Sequence, residues 1–193
     1  MAVTELYEPV IVERVVPKDA RIAQLIWWAA RFAELGFTPS YGRGDHGNLS
    51  CRTPTGLVMT ARETEKATLR PDQFVEVIRV EWTARPVKLH CRGTRLPSTD
   101  ALMHLEVYRL RPDMQTAFHG HDQQALAKAA ALRIPVTAHS AATQTLDVVV
   151  DVKRLVGSTD YLLLRDHGFL ALGTSPDDAG ELVRTIALHA RSL

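Results

Sequence analysis

The stretch PSTDALMHLEVYRLRPDMQTAFHGH, residues 97–121, decides how this chain is read. Ser98 and Thr99 are good helix-capping residues, and they precede Asp100 and an amphipathic run from Ala101 to Leu110 with Leu102, Leu105, Val107 and Tyr108 available to pack. A carboxylate in the first turn of such a helix is favoured by the helix dipole. Beyond Arg111-Pro112-Asp113, the residues Met114 to Phe118 read as a strand entering the core and running into His119-Gly120-His121. Side chains at i and i+2 of a strand project to one face, so His119 and His121 can grip a single ion. Gly120 between them leaves room for another backbone or a substrate to come close. A third imidazole, His167, sits in the turn Asp166-His167-Gly168 between two apolar strands, Tyr161 to Leu164 and Phe169 to Leu172. With Asp100 these residues offer a mixed nitrogen and oxygen donor set for one divalent metal. Zinc (Zn2+) is the first expectation, and manganese, iron(II) and cobalt suit the same donors.

Working outward, the pattern predicts a single α/β domain, three-layered α/β/α, with helices on both faces of a mainly antiparallel sheet. Residues 1–17 are expected as a mobile arm. Asp19 to Leu35 carries a helical stripe at Ile22, Leu25, Ile26, Ala29, Phe32 and Ala33, ended by Gly36. Trp27 and Trp28 are adjacent and cannot both face one core, which leaves one for a subunit contact. Short strands follow at Gly47–Arg52, Leu57–Thr60, Phe74–Val80 and Val87–Cys91, the last two as a hairpin. Gln123 to Leu132 is an alanine-rich helix, and a short helix around Asp151 to Gly157 is weakly signalled. Ser175-Pro176-Asp177-Asp178 starts the last helix with a cap, a proline at its first position and an acidic first turn.

Composition narrows the function classes. The chain has 193 residues and a formal net charge of +1, with no basic cluster for nucleic acid or a membrane surface. No run approaches the ~18 apolar residues of a membrane span. Met1 to Val16 lacks the pattern of a signal peptide, and Cys51 and Cys91 form neither a metal motif nor a disulfide framework, so a cytoplasmic enzyme is expected.

The ordered set Gly47-Asn48-Leu49-Ser50, Pro97-Ser98-Thr99-Asp100, His104, Arg111-Pro112-Asp113, His119-Gly120-His121, His167-Gly168 and Gly173 resembles the class II aldolase and adducin family over most of the chain. The resemblance implies that His119, His121 and His167 bind the metal. It leaves Asp100 as either a ligand or the acid/base, because relatives use the acidic residue at this place in both ways. It implies that Asn48, Ser98 and Thr99 help to hold an anionic small-molecule substrate, and it implies a homotetramer. His104 is expected outside the metal shell, and His46, His90 and His189 at the surface or core edge.

Two departures bear on the substrate. The family's Thr-Pro-Ser/Thr-Gly segment is replaced by Thr60-Ala61-Arg62-Glu63, where Arg62 offers a planar fork for a phosphate or carboxylate. Aldolases of the family carry a tyrosine or other catalytic residue past the last helix, whereas Tyr7, Tyr41, Tyr108 and Tyr161 all lie earlier. In the segment Ile134 to Ser140, which the resemblance sets where the family's epimerase carries a catalytic Asp, His139 is the titratable candidate. The expected chemistry is a metal-dependent lyase reaction, aldol cleavage of a hydroxy-ketone or sugar phosphate through an enediolate, with Asp100 moving the proton. The alternatives are decarboxylation of a hydroxy-acid with Arg62 on the carboxylate, epimerase or dehydratase chemistry, and an adducin-like interaction domain without catalysis.

Overall fold

Short runs rich in Val, Leu, Phe and Thr become strands because such side chains fit a pleated surface buried on both faces. They form β1 (Tyr7–Glu13), β2 (Asn48–Arg52), β3 (Leu57–Thr60), β4 (Phe74–Glu81), β5 (Val87–Arg92), β6 (Thr116–Gly120), β7 (Tyr161–Leu164) and β8 (Gly168–Gly173). The structure, a computed structural model, describes residues 6–141 and 146–193. All eight strands lie in one sheet, in the order β1-β5-β4-β3-β2-β6-β8-β7. Every neighbouring pair is antiparallel except β1 with β5.

The helices are α1 (Ile22–Glu34), α2 (Ala101–Leu110), α3 (Gln123–Ala127), α4 (Ala129–Leu132), α5 (Leu146–Leu155) and α6 (Pro176–Ser192). Leu102 and Leu105 of α2, with Val148 and Val152 of α5, pack with Leu57, Met59, Val77 and Leu89 on one face of the sheet. Leu25 and Phe32 of α1, with Val183 and Ala187 of α6, pack with Leu49, Phe118 and Phe169 on the other. The result is the expected α/β/α sandwich. Phe32 is the hub of the second face, meeting Phe37, Phe118 and Phe169 edge-on with ring centroids 5.6–6.0 Å apart. Such contacts contribute about 0.5–1.5 kcal/mol each beyond area burial. They clamp β6 and β8, the strands that carry or adjoin the histidines.

The strand at residues 7–13 corrects the expectation of a mobile N-terminal arm. Tyr7 to Ile11 pair in parallel with Val87 to Cys91, which satisfies the edge of β5 and buries the Tyr7 ring. The alanine-rich helix is also broken in two. Lys128 leaves helical geometry and donates from Nζ to the Ala190 carbonyl at 2.6 Å, near the C-terminal end of α6, where a cation is favoured. The weakly signalled helix is α5, longer and earlier than the pattern indicated; residues 142–145 of the preceding segment lie outside the described residues. Trp28 is buried against α6 and Trp27 is half exposed, as two adjacent tryptophans on a helix must divide. Among the described residues no helix is long and apolar enough to cross a membrane.

Candidate metal centre

Strand β6 lies between β2 and β8, so His119 stands opposite Asn48 on one side and Leu170 on the other. His121 follows just past the strand end, where its amide donates to the Phe37 carbonyl at 2.8 Å. His167 comes from the tight turn between β7 and β8, in which Asp166 adopts a φ of 59°. The two glycines of the motif are needed for contact between these segments. A Cβ on Gly168 would lie 2.1 Å from the Gly120 carbonyl oxygen, and one on Gly120 would lie 2.7 Å from the Phe169 ring. Any larger residue would push the His167 turn away from the strand that bears His119.

This packing brings one ring nitrogen from each of His119, His121 and His167 within 4.8 Å of one another. His119 Nε2 and His167 Nε2 are 3.1 Å apart. His119 Nδ1 lies 2.7 Å from the Phe169 carbonyl, which can only accept, so Nδ1 carries the proton and Nε2 presents its lone pair to the cluster. Burial holds all three imidazoles neutral. His119 is pushed well below its ordinary value by loss of solvent and then by neighbouring His167, and His121 falls to about 2 from burial and its histidine neighbours. His167 is lowered by burial, opposed by the Asp100 carboxylate. Buried neutral imidazoles are the protonation state a divalent ion requires. His121 Nε2 is buried without a hydrogen-bond partner, an atom that a metal would satisfy. The donor set therefore fits a zinc-type ion.

Asp100 sits at the entry to α2, where its side chain makes no capping bond. Its Oδ2 accepts a 2.5 Å hydrogen bond from Asn48 Nδ2 instead. Asn48 is 3% exposed and its Oδ1 is buried without a hydrogen-bond partner. Ser98 is buried in the same loop, with Asp100 N donating to its Oγ at 3.4 Å. Thr99 is the exposed residue between them. Arg62 takes a different direction from the one its sequence context suggested. Its Nε donates to the Pro97 carbonyl at 3.0 Å and one terminal amine to the Tyr7 hydroxyl at 3.3 Å.

Sequence reasoning missed His46. Its ring lies 4.7 Å from that of His121, and Tyr41 lies 4.8 Å from His46 on the outer side. The available signal was its position immediately before Gly47-Asn48. Buried Lys66 fixes this loop by donating from Nζ to Asp45 O, Thr64 O and Thr64 Oγ1, and burial pushes its pKa down to about 8. His139 pairs instead with buried Asp151, at 3.0 Å from Nδ1 to Oδ2. Asp122 caps α3 through the Gln124 and Ala125 amides.

Residues 23–191 match the class II aldolase and adducin N-terminal domain family. The chain belongs to that family. One relative, methylthioribulose-1-phosphate dehydratase of Pseudoalteromonas translucida, is 26% identical over 187 residues, covering 83% of each chain. A second, 5-methylthioribulose-1-phosphate/5-deoxyribulose-1-phosphate aldolase of Rhodospirillum rubrum, is 33% identical over 85 residues, 44% of this chain and 34% of its own. In structure the chain is similar to L-fuculose-1-phosphate aldolase of Thermus thermophilus, with a TM-score of 0.70, 21% identity and coverage of 90% of this chain and 92% of that one. The three-layer class II aldolase fold is thus shared.

His104 has a structural setting. It is fully buried, with Nδ1 2.7 Å from Ser50 Oγ, which also meets the Tyr108 hydroxyl at 2.7 Å. Burial lowers its pKa from 6.5 to about 4, against a smaller opposing pull from Asp100. The unfolded chain takes up a proton near pH 6.5 while the folded chain does not, so stability is lost as pH falls from about 6.5 to about 4. The gap is worth roughly 3 kcal/mol. Urea unfolding of metal-free protein at pH 7 and pH 4.5 should show a loss that is roughly 2–3 kcal/mol smaller in His104→Gln. Equal losses in the two proteins would exclude His104 as the source.

Proposed function

We propose that this chain is a divalent-metal-dependent lyase that cleaves a ketose phosphate by retro-aldol chemistry. The observation that carries the reading is the convergence of three imidazoles, one buried and two half-buried, beside an Asn48–Asp100 pair. His119, His121 and His167 would hold the ion. When bound, it supplies a Lewis acid that stabilises negative charge on adjacent substrate oxygens.

The remaining work falls to this chain's own residues. Asn48, with the amides and hydroxyls of Ser98 and Thr99, holds the phosphate or neighbouring hydroxyls. As the bond between C3 and C4 breaks, the Asp100 carboxylate takes the C4 hydroxyl proton, C4 becomes an aldehyde and the electron pair passes to C3, conjugated with the C2 carbonyl. Asp100 then delivers a proton to C3. Its carboxylate is engaged with Asn48 rather than grouped with the imidazoles, which favours the acid/base role over that of a ligand. Hydroxy-acid decarboxylation relied on Arg62 holding the carboxylate, and the Arg62 bonds to Pro97 and Tyr7 weaken that reading. The intact histidine triad weighs against a non-catalytic adducin-like domain. The homotetramer and the cytoplasmic location remain part of this proposal.

Dehydration is the second reading, favoured by the relative matched over 83% of both chains. There Asp100 would remove the C3 proton as hydroxide leaves C4 with a proton, as water. Zinc-loaded protein given 5-deoxyribulose 1-phosphate separates the two. Aldol cleavage yields dihydroxyacetone phosphate and acetaldehyde, measured by coupled reduction of the triose. Dehydration yields a 2,3-diketone that absorbs in the near ultraviolet, and no triose. Release of neither product from this substrate or its 5-methylthio analogue, with zinc bound, would overturn the assignment.

A further inference from the structure

We propose that β1 is a working part of the site, in which the Tyr7 hydroxyl, seconded by Arg62, positions Asp100 by holding the carbonyls of the loop before it. The proposal rests on the reading of Asp100 as acid/base.

Gly93 to Asp100 carry the chain from the end of β5 into α2, and Pro97 to Asp100 are the last four of these residues. The Tyr7 hydroxyl donates to the Ser98 carbonyl at 2.6 Å, and the Pro97 carbonyl lies 3.3 Å away. The Ser98 carbonyl also accepts from the Ala101 amide at 3.0 Å, so the tyrosine grips the first turn of α2 at its opening bond. Arg62 closes the other side. Its Nε donates to the Pro97 carbonyl, its backbone amide donates to Leu96 O at 3.1 Å, and Ala61 bridges to Pro97. The guanidinium and the hydroxyl are themselves joined at 3.3 Å.

Packing alone does not account for this tyrosine. Its ring is 2% exposed and belongs to the apolar cluster of Leu57, Met59 and Leu89, a setting that phenylalanine fills equally well. Burying a hydroxyl there is costly unless it is bonded. These bonds end on the loop that terminates in Asp100 and on the arginine that holds the same loop. A carboxylate that must deliver a proton to one carbon tolerates little displacement, since about 1 Å of misplacement costs on the order of 100-fold in rate.

The test compares full-length, zinc-loaded wild type with Tyr7→Phe, which keeps the ring, and with Arg62→Met as a second variant. Three quantities are read: zinc per chain, hydrogen exchange at the Asp100 and Ala101 amides, and exchange of a hydroxymethyl proton of dihydroxyacetone phosphate into D2O. We expect unchanged zinc content, ~10-fold faster amide exchange at the loop, kcat lowered ~10- to 100-fold and KM within ~3-fold. Unchanged amide exchange, or a loosened loop with unchanged kcat, would overturn the proposal. Wild type that binds zinc but exchanges no proton refutes the lyase reading separately, and amide exchange alone then decides whether the clamp exists.

Discussion

His119→Ala is expected to strip the protein of its metal. Zinc measured by elemental mass spectrometry after dialysis should fall from near one per chain to background. Affinities of about 10–16 kcal/mol for protein zinc sites, spread over three or four ligands, average roughly 3–4 kcal/mol per ligand, a weakening of at least ~100-fold. His119 should be the most costly of the three to lose. It is 1% exposed, its tautomer is set by the Phe169 carbonyl, and it stands mid-sheet between Asn48 and Leu170. Lyase activity should vanish with the ion. Retention of stoichiometric zinc by the variant would show that the ion binds elsewhere.

Asp100→Asn is expected to separate metal binding from proton transfer. The amide is nearly isosteric and can still bond Asn48, so zinc content should stay near one per chain. Turnover should drop by about 100- to 10,000-fold, the usual range for removal of a general acid or base. The drop should appear in kcat with KM little changed, as for a group that acts on the reacting carbon. Loss of zinc in this variant would instead make Asp100 a ligand.

Much of this site was legible because it is written in local periodicities. The i, i+2 spacing of His119 and His121 around Gly120 brings the two imidazoles into one cluster at the end of β6, with His119 on the strand and His121 just beyond it. The turn that bears His167 is bracketed by two short apolar runs. Less legible features depend on contacts distant in sequence. Tyr7–Glu13 contains Pro9 and two glutamates and becomes a strand only because β5, some eighty residues later, offers it an edge. Helix α5 has the β-branched run Val148, Val149 and Val150, which resembles a strand until α2 packs against it. The direction of Arg62 and the approach of His46 to His121 are set by loops, whose paths no periodicity encodes.

The third imidazole reaches the first only when β8 has docked on β6, and His119 and His167 are 48 positions apart in the chain. An unfolded chain therefore offers an ion little more than the His119–His121 pair. A ligand that favours the native state so strongly acts as a thermodynamic brace as well as a reagent. Free zinc at a hundred times its dissociation constant would add about 2.7 kcal/mol to unfolding. Chelation should accordingly lower the melting temperature along with the activity.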